Sequence, residues 1–141
     1  MSKPAPLFNR LALIGVGLIG SSIARAARAQ GAVRSVVATA RSPQTRRRVA
    51  ELGLADQVVE SNAAAVGGAD LVIVCIPVGA CAAVAKEIGP HLAAGATVSD
   101  VGSVKGSIIR DICLKLSRSM KRSASGRMDR EALAQSWTSV C

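Results

Sequence analysis

The sequence predicts an α/β fold built on a parallel sheet with helices on both faces, and three observations carry that prediction. Short aliphatic runs alternate with stretches of helical spacing from residue 11 to residue 100, the rhythm of strand–helix–strand crossovers. The motif GVGLIG, residues 15–20, stands directly between the first aliphatic run and the first helical stretch. Half of the residues are apolar, yet Phe8 and Trp137 are the only aromatics; a core of Ala, Val, Ile and Leu suits buried strands and close-packed helices. Together these features describe a Rossmann-type domain, and 141 residues is the size of one globular unit.

The elements follow in order. Residues 11–14 (LALI) form a continuous apolar run, as expected of a strand covered on both faces. Residues 19–30 are Ala-rich with helical spacing, and Gly31 supplies a C-terminal stop. A second strand is predicted at 35–39 (SVVAT), then a turn at Ser42 and Pro43 and a helix over 44–52. Val58 and Val59 mark a brief third strand, and 62–68 a short helical segment. The clearest strand is 71–76 (LVIVCI), followed by a helix over 80–92 and a fifth strand at 97–100 (TVSD). The Rossmann-type domain is assigned to residues 1–112. Residues 113–141 carry six Ser and six Lys or Arg among 29; apart from a weak helix at 129–135, they are expected to be poorly ordered. The sheet is therefore expected to be incomplete at its C-terminal side, with an exposed edge.

Charge narrows the partners. The chain is formally +9, but its first fifty residues hold nine Lys or Arg and no acid, whereas nine of each sign follow from Glu51 onward. A basic half attracts anions, yet the aromatic platforms on which single-stranded nucleic acid stacks are absent, so a small anionic ligand is expected and nucleic acid is not. Cys75, Cys81, Cys113 and Cys141 show neither C-x-x-C spacing nor a neighbouring His; no metal site and no disulfide framework are indicated, which fits a reducing cytoplasm. The uncharged stretch 71–85 is interrupted by Pro77 and Gly79 and is too short to span a bilayer.

GVGLIG matches the G-x-G-x-x-G fingerprint at Gly15, Gly17 and Gly20. The first Gly permits a tight turn, the second a close approach of backbone to a pyrophosphate, and the third close helix–strand packing. A helix starting at Leu18 and Ile19 would turn free N–H groups and a positive dipole end toward the phosphates. An acid that binds the ribose hydroxyls is expected about twenty residues on. The count reaches Ala40, and no acid precedes Glu51. Arg41, Ser42 and Arg46 stand there instead, a guanidinium and hydroxyl set that suits a 2′-phosphate. The sequence thus favours NADP over NAD. The alternative, that these arginines form a solvated helix face, holds best for Arg47 and Arg48.

The segments LIGVGLIGSSIARA, ATARSPQTRRRVAELG, ADLVIVCIPV and VSDVGSVKGSIIRDI resemble the nucleotide-binding domain of the prephenate and arogenate (cyclohexadienyl) dehydrogenases of tyrosine biosynthesis, over residues 11–112. The resemblance implies oxidative decarboxylation of prephenate or arogenate with hydride transfer to NAD(P). It implies that Ile76 and Pro77 contact the cofactor and that Ser103 orients the substrate hydroxyl. Independently, a Ser at this position would serve equally well as a helix N-cap. Other Rossmann dehydrogenases, of the β-hydroxyacid or pyrroline carboxylate reductase type, also begin with such a loop but are expected to differ at DVGSVKG. A dinucleotide-binding module without catalysis remains the alternative from another class.

Departures from the family pattern are equally informative. The family carries its catalytic His in an H-P-x-x-G segment about twenty residues after the Ser; here that window reads KRSASGRMD, and the chain's single His, His91, lies ahead of the fifth strand. Loss of a general base removes roughly 10²–10⁴-fold of rate. The helical second domain, with its dimer interface, is not recognisable either. These losses after Ile112 are what a truncation or frameshift would produce, and impaired activity is the expectation.

Overall fold

The computed structural model of the chain describes residues 5–101 and 137–139. The chain alternates β1 (Phe8–Ile14), α1 (Leu18–Ala29), β2 (Val33–Thr39), α2 (Pro43–Glu51), β3 (Gln57–Val59), α3 (Asn62–Val66), β4 (Leu71–Val74), α4 (Val78–Ile88), a 3₁₀ turn (Gly89–His91), β5 (Thr97–Asp100) and β6 (Trp137–Ser139). All neighbours in the sheet are parallel, in the order β3-β2-β1-β4-β5-β6. This is the doubly wound order, and it reverses between β1 and β4.

The period-2 geometry of β1 explains the two layers. Leu11 and Leu13 face one side, where they share a core with Ala24 of α1, Val49 of α2 and Val36 and Ala38 of β2. Ala12 and Ile14 face the other side, packed with Ala65 and Val66 of α3, Cys81, Ala85 and Ile88 of α4, and Val72 and Val74 of β4. Leu13 and Val72 are fully shielded from solvent, and burial of such a side chain contributes roughly 1.5–3 kcal/mol. The first face takes the larger Leu side chains. Small residues dominate the second, which lets α3 and α4 lie close to the sheet.

Two strands begin earlier than their hydrophobic pattern suggests. In β1 the polar residues Asn9 and Arg10 precede the apolar run, and their amides donate to Asp70 Oδ2 and Oδ1, both at 2.8 Å. Asp70 also donates its own amide to Arg10 O and accepts from Thr97 N, so one residue fastens β1, β4 and β5 at their amino ends. Burial pulls the Asp70 carboxyl upward, but the amides of Asn9, Arg10 and Asp70 itself, together with the Asn9 side chain, outweigh that and leave its pKa below the ordinary 3.8. Asp56 repeats the device one strand along: its carboxylate accepts from Val36 N at 2.7 Å and from Arg28 Nη1 at 3.1 Å. Both acids sit on the residue just before a strand.

The C-terminal segment requires a correction. Sequence reading assigns no strand to residues 113–141, but Trp137–Ser139 pairs with β5 in the register Val98↔Trp137 to Asp100↔Ser139. A three-residue strand offers no alternation to detect, and the surrounding Ser, Lys and Arg obscure it. The helix expected at 129–135 lies outside the described residues.

Candidate dinucleotide-binding site

At the point where strand order reverses, a cleft of about 740 Å³ opens over the carboxyl ends of β1, β2 and β4. Ligands of open parallel sheets bind in this crevice, because neighbouring crossovers leave to opposite faces and part the loops. Its floor is the GVGLIG turn, and its walls are the β2–α2 turn and the start of α4.

The three glycines are there for different reasons. Gly15 has φ +83, and a Cβ on it would lie 2.7 Å from Ile76 Cγ2 and 2.8 Å from Cys75 O, so both conformation and space exclude a side chain. A Cβ on Gly20 would meet Gly15 O at 2.7 Å, which is the close helix–strand contact expected of the third glycine. Gly17 differs: its φ of −98 is open to any residue, and a Cβ there would have nothing within 4 Å. Nothing in the described chain demands a glycine at that position, which is where a bound diphosphate requires bare backbone.

Helix starts on this rim fall into two kinds. Ser42 Oγ accepts from Thr45 N at 3.0 Å and Ser61 Oγ from Ala64 N at 3.1 Å, capping α2 and α3. The starts of α1 and α4, on either side of the switch point, have no side-chain cap. The first-turn amides of α1 are thus left to solvent or to an anion. The residues present fit a diphosphate.

At the adenosine end expected from the fingerprint, Arg41 and Ser42 line the cleft. Arg41 is exposed, and its guanidinium makes no hydrogen bond or ion pair with any described residue. Arg46 is committed elsewhere: Nη1 donates to Ala40 O at 2.9 Å and Arg41 O at 3.1 Å, while Nη2 pairs with Glu60 Oε1 at 2.6 Å. Among the sequence candidates, Gly15, Gly17, Arg41, Ser42, Ile76 and Pro77 line the cleft. Leu18 and Ile19 project from the first turn of α1, 86% and 53% exposed, and Gly20 is buried beneath the loop. Ser103 lies outside the described residues. His91 closes the 3₁₀ turn ahead of β5, on the amino-end side of the sheet.

The family description for the prephenate dehydrogenase nucleotide-binding domain matches residues 23–122. The chain belongs to the prephenate dehydrogenase family. The match continues ten residues past Ile112, where sequence reading placed the loss of family pattern; it begins after the glycine loop, whose assignment therefore rests on its own geometry. Cyclohexadienyl dehydrogenase of Zymomonas mobilis is 41% identical over 106 residues, covering 75% of this chain and 36% of that protein. Prephenate dehydrogenase of A. aeolicus, solved with hydroxyphenyl propionate and NAD+, superposes with a TM-score of 0.71 at 27% identity, covering 79% of this chain and 39% of that one. Synechocystis arogenate dehydrogenase gives 0.69 at 26% identity, covering 75% and 37%. This chain thus spans between a third and two-fifths of the length of these relatives.

Several groups in the site of this family member were not legible as such. Thr39 is buried beneath the glycine loop: its Oγ1 donates to Asn62 Oδ1 at 2.9 Å and accepts a long bond from Gly15 N, and Asn62 Nδ2 donates to Glu87 Oε2 at 3.0 Å. This relay ties the loop to α4. Glu60 brings a carboxylate to the cleft, which corrects the expectation that no acid could stand at this end. A search along the chain passes over it, but in a parallel sheet every strand ends on one rim, and the residue after β3 is a spatial neighbour of the residue after β2. Cys75 also lines the cleft, and burial pushes its thiol up to about 11. The Cys81 thiol is raised by burial first and then by the Asp100 charge. Neither is a thiolate nucleophile at neutral pH. Among the described residues there is no cluster of His, Cys, Asp or Glu able to hold a metal ion, and no helix long and apolar enough to cross a membrane.

Proposed function

We propose that this chain binds a nicotinamide dinucleotide, NADP in preference to NAD, and forms the hydride-accepting part of a cytoplasmic prephenate or arogenate dehydrogenase. Gly17 carries the reading, since a missing side chain that the protein itself does not require is explained by a diphosphate lying against the loop. Gly15, Gly17 and the amides at Leu18 and Ile19 would hold that diphosphate, Ile76 and Pro77 would border the nicotinamide half, and Arg41 with Ser42 would face the adenosine ribose. The uncommitted Arg41 guanidinium supports the choice of NADP, because a 2′-phosphate meets a cation there.

When bound, the dinucleotide supplies the acceptor for a hydride from the hydroxyl-bearing ring carbon of the substrate, whose carboxylate leaves as carbon dioxide. The chain's own part is to fix the acceptor face and exclude water from it. Ser103, which follows β5 in the sequence, would orient the substrate hydroxyl. The lack of an H-P-x-x-G segment in KRSASGRMD supports turnover weaker than a family member with that His would give.

Calorimetric titration of the chain with NADP and NAD tests the binding, and formation of reduced coenzyme with prephenate or arogenate tests the reaction. Arg41→Ala should weaken NADP by about tenfold while changing NAD little, as loss of one charge-assisted contact predicts. Equal loss for both coenzymes removes the basis for NADP, and no heat with either removes the function.

A further inference from the structure

Glu60 follows β3 and lines the same cleft as Arg41, Ser42 and Thr45. Its pairing with Arg46 is lopsided: the Glu60 side chain is 81% exposed and that of Arg46 only 18%. Arg46 is the fixed member, because its Nη1 is anchored to the carbonyls of Ala40 and Arg41 under the β2–α2 turn. Glu60 is the member that can move. Its carboxylate neutralises a guanidinium that would otherwise add to the field of Arg41. It also places negative charge in the cleft that Arg41 and Ser42 line. A ribose 2′-hydroxyl is not repelled by that carboxylate and can donate to it.

We propose that Glu60 is the specificity-determining carboxylate of this site, restraining NADP and keeping NAD competitive through its own charge and its hold on Arg46. The inference rests on the dinucleotide reading above. It assigns to the end of β3 the discrimination that the fingerprint leads one to seek at the end of β2, where the chain has Ala40 and Arg41. Arg46 acts as a positioning residue, shaping the turn that presents Arg41, and is not itself a phosphate ligand.

The test is calorimetry on the full chain with NADP, NAD, 2′,5′-ADP and 5′-ADP, at low and high salt. Glu60→Gln keeps an acceptor for Arg46 and removes the charge. NADP and 2′,5′-ADP should then bind about tenfold tighter, with NAD and 5′-ADP within about twofold, and the gain should shrink at high salt, as for any partly exposed charge pair. Glu60→Lys should move the ratio further in the same direction, and Glu60→Asp should return it toward wild type. An NADP to NAD ratio within about twofold of wild type in both Glu60→Gln and Glu60→Lys, at an unchanged thermal midpoint, overturns the inference and leaves the dinucleotide reading intact, since the screened repulsion expected is larger than that. A wild-type chain that binds none of the four ligands overturns both.

Discussion

The two rims of the sheet treat the same problem in opposite ways. A parallel sheet ends on each side in backbone groups without strand partners. On the amino-end rim the chain satisfies them itself: Asp70 takes the amides of Asn9 and Arg10, and Asp56 takes that of Val36. On the carboxyl-end rim, at the switch point, it leaves donors open: Gly17 has no neighbour where its side chain would be, and α1 and α4 start without caps. Carboxylates thus close the rim that serves stability. On the rim that serves binding, Asp100 is buried at the end of β5 and Glu60 stands already paired with a guanidinium. Perturbing one rim should therefore change stability and spare affinity, and the other rim should behave in reverse.

The largest effect is expected where both roles meet. Gly15→Val forces a β-branched residue into φ +83 and into contact with Ile76 and Cys75 O. It should destabilise the fold by about 3 kcal/mol and abolish coenzyme binding; a stable, binding-competent variant would show that the turn can rearrange. Asp70→Ala comes next and leaves two strand amides without acceptors. Denaturant unfolding should show a loss of about 2 kcal/mol, while coenzyme affinity on the still-folded fraction stays unchanged. A drop in affinity would mean that the rims are coupled.

Gly17→Ala is the converse. Its added methyl meets no protein atom, so stability should fall by at most about 1 kcal/mol, the effect of Ala at an N-cap. Coenzyme affinity should fall by about tenfold, equivalent to 1.4 kcal/mol. If both coenzymes bind Gly17→Ala as they bind wild type, the division between rims fails at its most informative residue. The smallest effect is the acid titration. Because the pKa of Asp70 is lowered on folding, its contribution is fully present above the ordinary value of 3.8 and is lost as pH falls below that, through the folded value. Between pH 5 and pH 2, wild type should lose more unfolding free energy than Asp70→Asn, and parallel curves would exclude Asp70 as a contributor.

What was legible in the sequence follows the same physics. The runs LALI and LVIVCI read plainly as strands because burial on both faces leaves no polar residue to interrupt them. Asn9 and Arg10 extend β1 through backbone pairing with β2 and Asp70, which no side-chain pattern encodes. Strand β4 ends at Val74, two residues before its apolar run does, because the chain turns through Cys75 and Ile76 into Pro77, the residue before α4. Helix α2 starts at Pro43, one residue before the predicted start, since Pro at the first helical position needs no hydrogen bond. In the site, glycine spacing located the loop, but only geometry distinguishes Gly17 from its two companions. Arg46 read as a ligand from its charge, whereas its partners are carbonyls and a carboxylate. Glu60 was hidden because distance along the chain is a poor guide to adjacency across a sheet.

The pairing of Trp137–Ser139 with β5 bears on how the molecule is made. Residues 101–136 separate the two strands, so during synthesis β5 emerges well before its outer neighbour. Throughout that interval the outer flank of β5 (TVSD) lacks its strand partner, and chaperones that shield unpaired strand edges should be found on nascent polypeptides stalled between these two points and not on those released after residue 139.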